Sequence, residues 1–63
     1  MHVAKIMVWE ENGFWLGYFL EYPDYHTQGK SLEELRENLK ELYKDLISGE
    51  IPGIRRVEDL VVP

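Results

Sequence analysis

The sequence contains no cysteine, so no disulfide can staple the chain and no thiolate can ligate a metal or act as a nucleophile. Its two histidines have no partner at ligand spacing, which argues against a structural zinc site. Basic residues are few: seven against twelve acids, a net charge of −5. That balance argues against a phosphate-tracking nucleic-acid binder, which needs a cationic patch, and favours solubility and, for any protein partner, a basic one. The apolar runs are too short to span a bilayer. Met1-His2-Val3 has none of the charged start, long apolar region or cleavage site of a secretory leader. A soluble, cytoplasmic protein is therefore expected. With 63 residues the chain is read as a single domain, 1–63, near the lower size at which one core supports folding. Lacking a covalent or metal staple, it must rely on a dense aromatic core or on oligomerisation.

What is present is strongly patterned. His2 to Glu10 is rich in β-branched and aromatic residues and has no breaker. Asn12-Gly13 follows, and both residue types tolerate the positive φ of a type I′ hairpin turn. Phe14 to Glu21 is the returning strand. With Asn12-Gly13 as the turn, Trp9 pairs with Leu16, Met7 with Tyr18 and Ile6 with Phe19. Alternation then puts Ala4, Ile6, Val8, Trp15, Gly17 and Phe19 on one face. Val3, Met7, Trp9, Leu16, Tyr18 and Leu20 lie on the other, with Lys5 as the polar exception. Both faces are apolar, and one helix covers only one of them. Met7, Trp9, Leu16 and Tyr18 are thus the expected interface of a homodimer or larger homo-oligomer.

Tyr22-Pro23-Asp24 marks a turn, and Tyr25 to Gln28 a short third strand ending at Gly29. Ser31-Leu32-Glu33-Glu34 fits a capping box: Ser31 accepts from an early helical N–H while Glu34 reaches back. Leu32, Leu35, Leu39, Leu42 and Leu46 step by three and four, giving one apolar stripe widened by Tyr43. Gly49 and Pro52-Gly53 supply stop signals. Ile54 to Val62 has the composition of a final strand, weakened by Glu58-Asp59. The expected fold is α+β: an antiparallel sheet of three or four strands with one long amphipathic helix across one face.

Candidate chemistry is sparse. Glu10 and Glu11 fall at the hairpin bend, while Glu21 and Asp24 flank a turn in which Asp24 has an ordinary backbone-bonding role. His26 is the one candidate general base, with Tyr25 or Thr27 as assistants, but such a base also requires an orienting carboxylate and a nucleophile. A surface or interface histidine is the simpler reading. The aromatics Trp9, Trp15, Tyr18, Phe19, Tyr22 and Tyr25 lack the cationic groove of a single-strand-binding platform; this half of the chain has only Lys5 and Lys30. Arg55-Arg56, the one adjacent basic pair, reads as a surface patch or a helper to Glu58 and Asp59 rather than a phosphate clamp. Gly13, Gly17 and Gly29 belong to no phosphate-loop pattern. No catalytic residue, cofactor or metal is assigned, and the chain is not read as an enzyme.

Three segments together resemble the HicB antitoxin family. Trp15-Leu16-Gly17-Tyr18-Phe19 resembles its aromatic second strand, and Tyr22-Pro23-Asp24-Tyr25 its proline turn. Thr27-Gln28-Gly29-Lys30-Ser31-Leu32-Glu33-Glu34-Leu35 is similar to its Ser/Thr-Gln-Gly-Asp-Thr-Leu-Glu-Glu-Ala approach to the helix. The likeness runs from about Val3 to Leu46. It departs at Leu20, where the family often has proline, and at Asp24, where it often has glycine.

The resemblance implies a partial ribonuclease-H-like fold without nuclease activity, since Lys5, Ile6 and Met7 stand where that chemistry places a carboxylate. It further implies a small basic RNA-cleaving partner, HicA, neutralised by occlusion. Residues 51–63 are too few for a separate DNA-binding domain, so a short form without direct DNA binding is expected. Glu21, Tyr22, Asp24, Tyr25 and His26 form the expected partner contact, charge beside aromatic anchors. The alternatives are a small enzyme using His26 with nearby acids, and a homo-oligomeric domain without a toxin partner.

Overall fold

The computed structural model describes residues 2–63. Three strands, β1 (Ile6–Glu11), β2 (Phe14–Phe19) and β3 (His26–Gly29), form one antiparallel sheet in the order β1-β2-β3. A single helix, α1 (Leu32–Leu46), follows. The chain is therefore α+β, with three strands among the described residues.

Asn12 and Gly13 take φ of 52° and 81°, the left-handed pair that a type I′ turn demands. The turn sets the ladder: Ile6 opposes Phe19, Met7 opposes Tyr18 and Trp9 opposes Leu16, as the sequence register requires. β2 stops at Phe19 rather than Glu21. The Tyr22 amide donates to the Phe19 carbonyl at 2.9 Å, folding Leu20 and Glu21 into a turn. A second turn follows directly, with the Tyr25 amide donating to the Tyr22 carbonyl at 3.3 Å. Because β2 ends early, residues 2–5 lose their ladder partners. One bond remains, from the Leu20 amide to the Lys5 carbonyl at 3.0 Å, and β1 begins at Ile6 rather than His2.

Ser31 caps α1 from an extended conformation, its hydroxyl accepting from the Glu34 amide at 3.1 Å. The return bond differs from the expected box. Glu34 Oε1 accepts from the Lys30 amide, one residue earlier than the cap, at 3.3 Å. At the far end the Ile47 amide donates to the Tyr43 carbonyl at 3.1 Å, and Gly49 at φ 81° turns the chain away.

Leu35, Leu39 and Leu46 are buried with Phe19 and Tyr22, and Ile6, Val8, Trp15, Leu32, Leu42 and Tyr43 pack around them. The helix lies over β2 and β3 and not over β1. Two glycines set that distance. A Cβ on Gly29 would lie 2.5 Å from the Leu35 backbone nitrogen, so β3 meets the helix backbone to backbone. A Cβ on Gly17 would sit 3.2 Å from Leu35 Cδ2 and 2.9 Å from the Met7 carbonyl oxygen. Asn38 ties the two layers from its side chain, Nδ2 donating to the Gln28 carbonyl at 2.7 Å.

Residues 54–62 form no strand. The Val57 amide donates to the Glu21 carbonyl at 2.7 Å, a single bond beyond the end of β2. Glu21 lies in the turn rather than in the ladder, so it offers the returning segment one anchor and no continuing edge. No helix among the described residues is long and apolar enough to cross a membrane.

Candidate protein-binding surface

Strand alternation leaves one face of the sheet without a covering layer. Met7 and Trp9 come from β1, Leu16 and Tyr18 from β2, and His26 and Gln28 from β3; the last two are placed by pairing with Tyr18 and Leu16. Met7 is 46% exposed, and Phe14 and Leu20 extend the apolar surface at opposite ends of β2. Trp9, Leu16 and Tyr18 are half-buried only by one another and their neighbours.

Three rings in the middle of this face form an ordered cluster. His26 stacks on Tyr18 with centroids 4.7 Å apart and planes 17° from parallel. Trp9 meets both edge-on, at 6.0 Å from Tyr18 and 5.9 Å from His26. Such offset and edge contacts use the ring quadrupoles favourably. His26 Nε2 lies 3.0 Å from the Pro23 carbonyl oxygen. A carbonyl only accepts, so Nε2 carries the proton and the ring is fixed by backbone rather than by a carboxylate. That geometry suits a rigid contact residue. It lacks the acid partner that orients a histidine base.

The five residues of the expected turn contact are dispersed by the fold. Tyr22 is 5% exposed and belongs to the core, while Tyr25 is half-buried against it. Asp24 Oδ2 accepts from Arg55 Nε at 2.8 Å. This hydrogen bond and the guanidinium charge hold the Asp24 carboxyl below the usual aspartate range, and the same bond raises Arg55 further. Glu21 stands 4.0 Å from Arg56, which also pairs with Glu58. The acids of the turn are therefore matched by cations of the same chain. Only His26 of the five lies in the ring cluster, on the other side of the sheet from Tyr22.

Of the Arg55-Arg56 pair expected as a surface patch or a helper to Glu58 and Asp59, Arg56 does pair with Glu58. Arg55 instead turns to Asp24, an approach that no local pattern signals because it depends on how residues 50–57 fold back. The part of His26 in the cluster was legible only through the β2–β3 register, which places it opposite Tyr18. Among the described residues no group of three or more histidine, aspartate or glutamate side chains is arranged to hold a metal ion.

Comparison of the chain with family models, with curated proteins and with solved structures gave no match.

Proposed function

We propose that the domain is a protein-binding module of the antitoxin kind, neutralising a small basic ribonuclease of the HicA type by covering it. The observation that carries this reading is the uncovered sheet face, where Met7, Trp9, Leu16, Tyr18 and His26 present a preformed apolar and aromatic surface. Aromatic side chains held rigid before binding lose little conformational freedom on contact, and they dominate the energetics of protein interfaces. Glu10 and Glu11 are exposed at the hairpin end of the same sheet, and the chain carries net negative charge, so the complementary partner is cationic. The resemblance of Trp15–Phe19, Tyr22–Tyr25 and Thr27–Leu35 to the HicB family supplies the identity of that partner. On the same reading the domain acts in the cytoplasm, has the partial ribonuclease-H-like topology without its nuclease carboxylates, and works as a homo-oligomer.

The burial of Tyr22 and the Asp24–Arg55 pair move the proposed contact from the turn to the sheet face. The test is inhibition of a co-encoded basic ribonuclease by the purified domain, compared with Trp9→Ala, Tyr18→Ala and Asp24→Lys. Loss of inhibition in the two aromatic variants with retention in Asp24→Lys is the expected pattern. The reverse pattern returns the contact to the turn. Failure of the native domain to bind or inhibit any such ribonuclease removes the antitoxin reading.

A further inference from the structure

β1 is an edge strand, and its outer backbone groups are identifiable. The Leu20 amide bonds the Lys5 carbonyl, so the hydrogen-bonded pairs run through Met7, Trp9 and Glu11. Ile6, Val8 and Glu10 therefore direct their N–H and C=O groups away from β2. Among the described residues no strand receives them. A long uncovered edge of this kind is a template for strand addition.

The surroundings of this edge are specific. Since α1 lies over β2 and β3, a shallow apolar cleft of about 180 Å³ remains beside β1, lined by Ile6, Phe19 and Leu39 and rimmed by Arg36 and Lys40. On the opposite face Lys5 lies in line with Met7 and Trp9. Neither Lys5 nor Arg36 forms an ion pair among the described residues.

The same chain carries a segment of matching character. Val57-Glu58-Asp59-Leu60-Val61-Val62 equals β1 in length and is rich in β-branched residues. Leu60, Val61 and Val62 are 83%, 94% and 71% exposed. Fixed at Val57 by the Glu21 carbonyl, the segment in its own molecule leaves these side chains uncovered. In an extended strand Glu58, Leu60 and Val62 share one side, and Val57, Asp59 and Val61 the other. Placed along β1, the first set meets Arg36, Lys40 and the apolar cleft. The second meets Lys5 and Met7. Glu58 would exchange its own Arg56 for the unpaired Arg36 of the second copy, and Asp59 would meet the unpaired Lys5, so charge and hydrophobicity match on both sides.

We propose that residues 57–62 of one molecule add as a fourth strand to the outer edge of β1 in a second copy, with reciprocal exchange in a two-fold dimer. The exchange satisfies the outer groups of Ile6, Val8 and Glu10 and covers Leu60, Val61 and Val62, which are among the most exposed apolar side chains of the chain. It touches the aromatic face only at its Met7 edge, leaves Leu16, Tyr18 and His26 uncovered, and does not depend on the identity of any toxin partner.

The experiment measures solution mass and backbone hydrogen exchange of the full chain across a concentration series. A dimer is expected, with the Ile6, Val8 and Glu10 amides slowing in exchange as concentration rises. Leu60→Asp combined with Val62→Asp alters only exposed positions and should shift the dimer–monomer midpoint by about tenfold or more. Glu10→Pro removes an outward-facing N–H while sparing the β1–β2 ladder, and should do the same. A monomer at high micromolar concentration overturns the proposal, as does a dimer indifferent to the two tail substitutions. Protection of the β1 edge that does not vary with concentration places the strand in its own molecule, and overturns it too.

Discussion

Asp24 and Arg55 lie 31 positions apart in the chain, yet their 2.8 Å bond joins the turn after β2 to the C-terminal segment. The lowered carboxyl fixes the sign of its pH dependence. The stabilisation is fully present above 3.8, the ordinary value, and is lost as pH falls through the lower native value. Asp24→Asn should therefore lower the thermal midpoint at neutral pH, by a small amount because the pair is solvent-screened. The gap from the native chain should close in acid. A gap that persists unchanged in acid would show that the carboxylate charge is not the source. Gly29 makes a different demand. Its close approach to the Leu35 backbone leaves no room for a Cβ, and neither neighbour is the flexible end of a side chain. Gly29→Ala should cost about 1–3 kcal/mol by forcing strand and helix apart, measured as a lower urea midpoint. Unchanged stability would mean that the two layers slide freely.

At the scale of the element, α1 is held by its stripe and its cap. Leu39 is buried in one cluster with Phe19, Tyr22, Leu35 and Leu46, so Leu39→Ala should cost roughly 2–5 kcal/mol, against almost nothing for the exposed Lys40→Ala. Equal midpoints for the two variants would contradict the packing. Ser31→Ala removes the hydroxyl that accepts from the Glu34 amide and should cost about 0.5–2 kcal/mol. The return bond to Lys30 also positions the chain between β3 and the helix, joining the cap to the sheet. The hairpin behaves as its turn dictates. The third strand begins one residue later than the residue pattern indicates, because Tyr25 closes the second of two successive turns.

For the whole molecule, one helix on a sheet with two apolar faces leaves a surface that must be solvated or shared. If that surface binds a cationic ribonuclease, association should slow as salt screens the charges of the two proteins, with a Debye length of about 8 Å at physiological ionic strength. Tyr18→Ala should then act mainly on dissociation, since it removes a packed ring and leaves the net charge unchanged. Stopped-flow measurements over a salt series separate these effects. An on-rate indifferent to salt would remove charge as the guide to the partner.

Several features of this fold are local and so were carried by the residues alone. Asn12-Gly13 imposes positive φ on two positions, and a two-residue turn leaves one register for the hairpin. The leucine spacing of α1 and the Ser31 cap likewise depend on neighbours within one or two helical turns. The candidate surface was half legible: alternation sorts Met7, Trp9, Leu16 and Tyr18 onto one face, but which face the helix takes depends on Gly29 admitting its backbone and Gly17 admitting the Leu35 side chain. Tyr22 reads in sequence as either a core aromatic or an anchor of the turn contact. It is buried because two successive turns swing it back under the helix, a result of chain direction that no local preference encodes. The partners of Asp24, and the failure of residues 54–62 to join their own sheet, were decided in the same way. Contacts across many positions depend on where the intervening chain is placed, and that placement is settled by packing of the complete core.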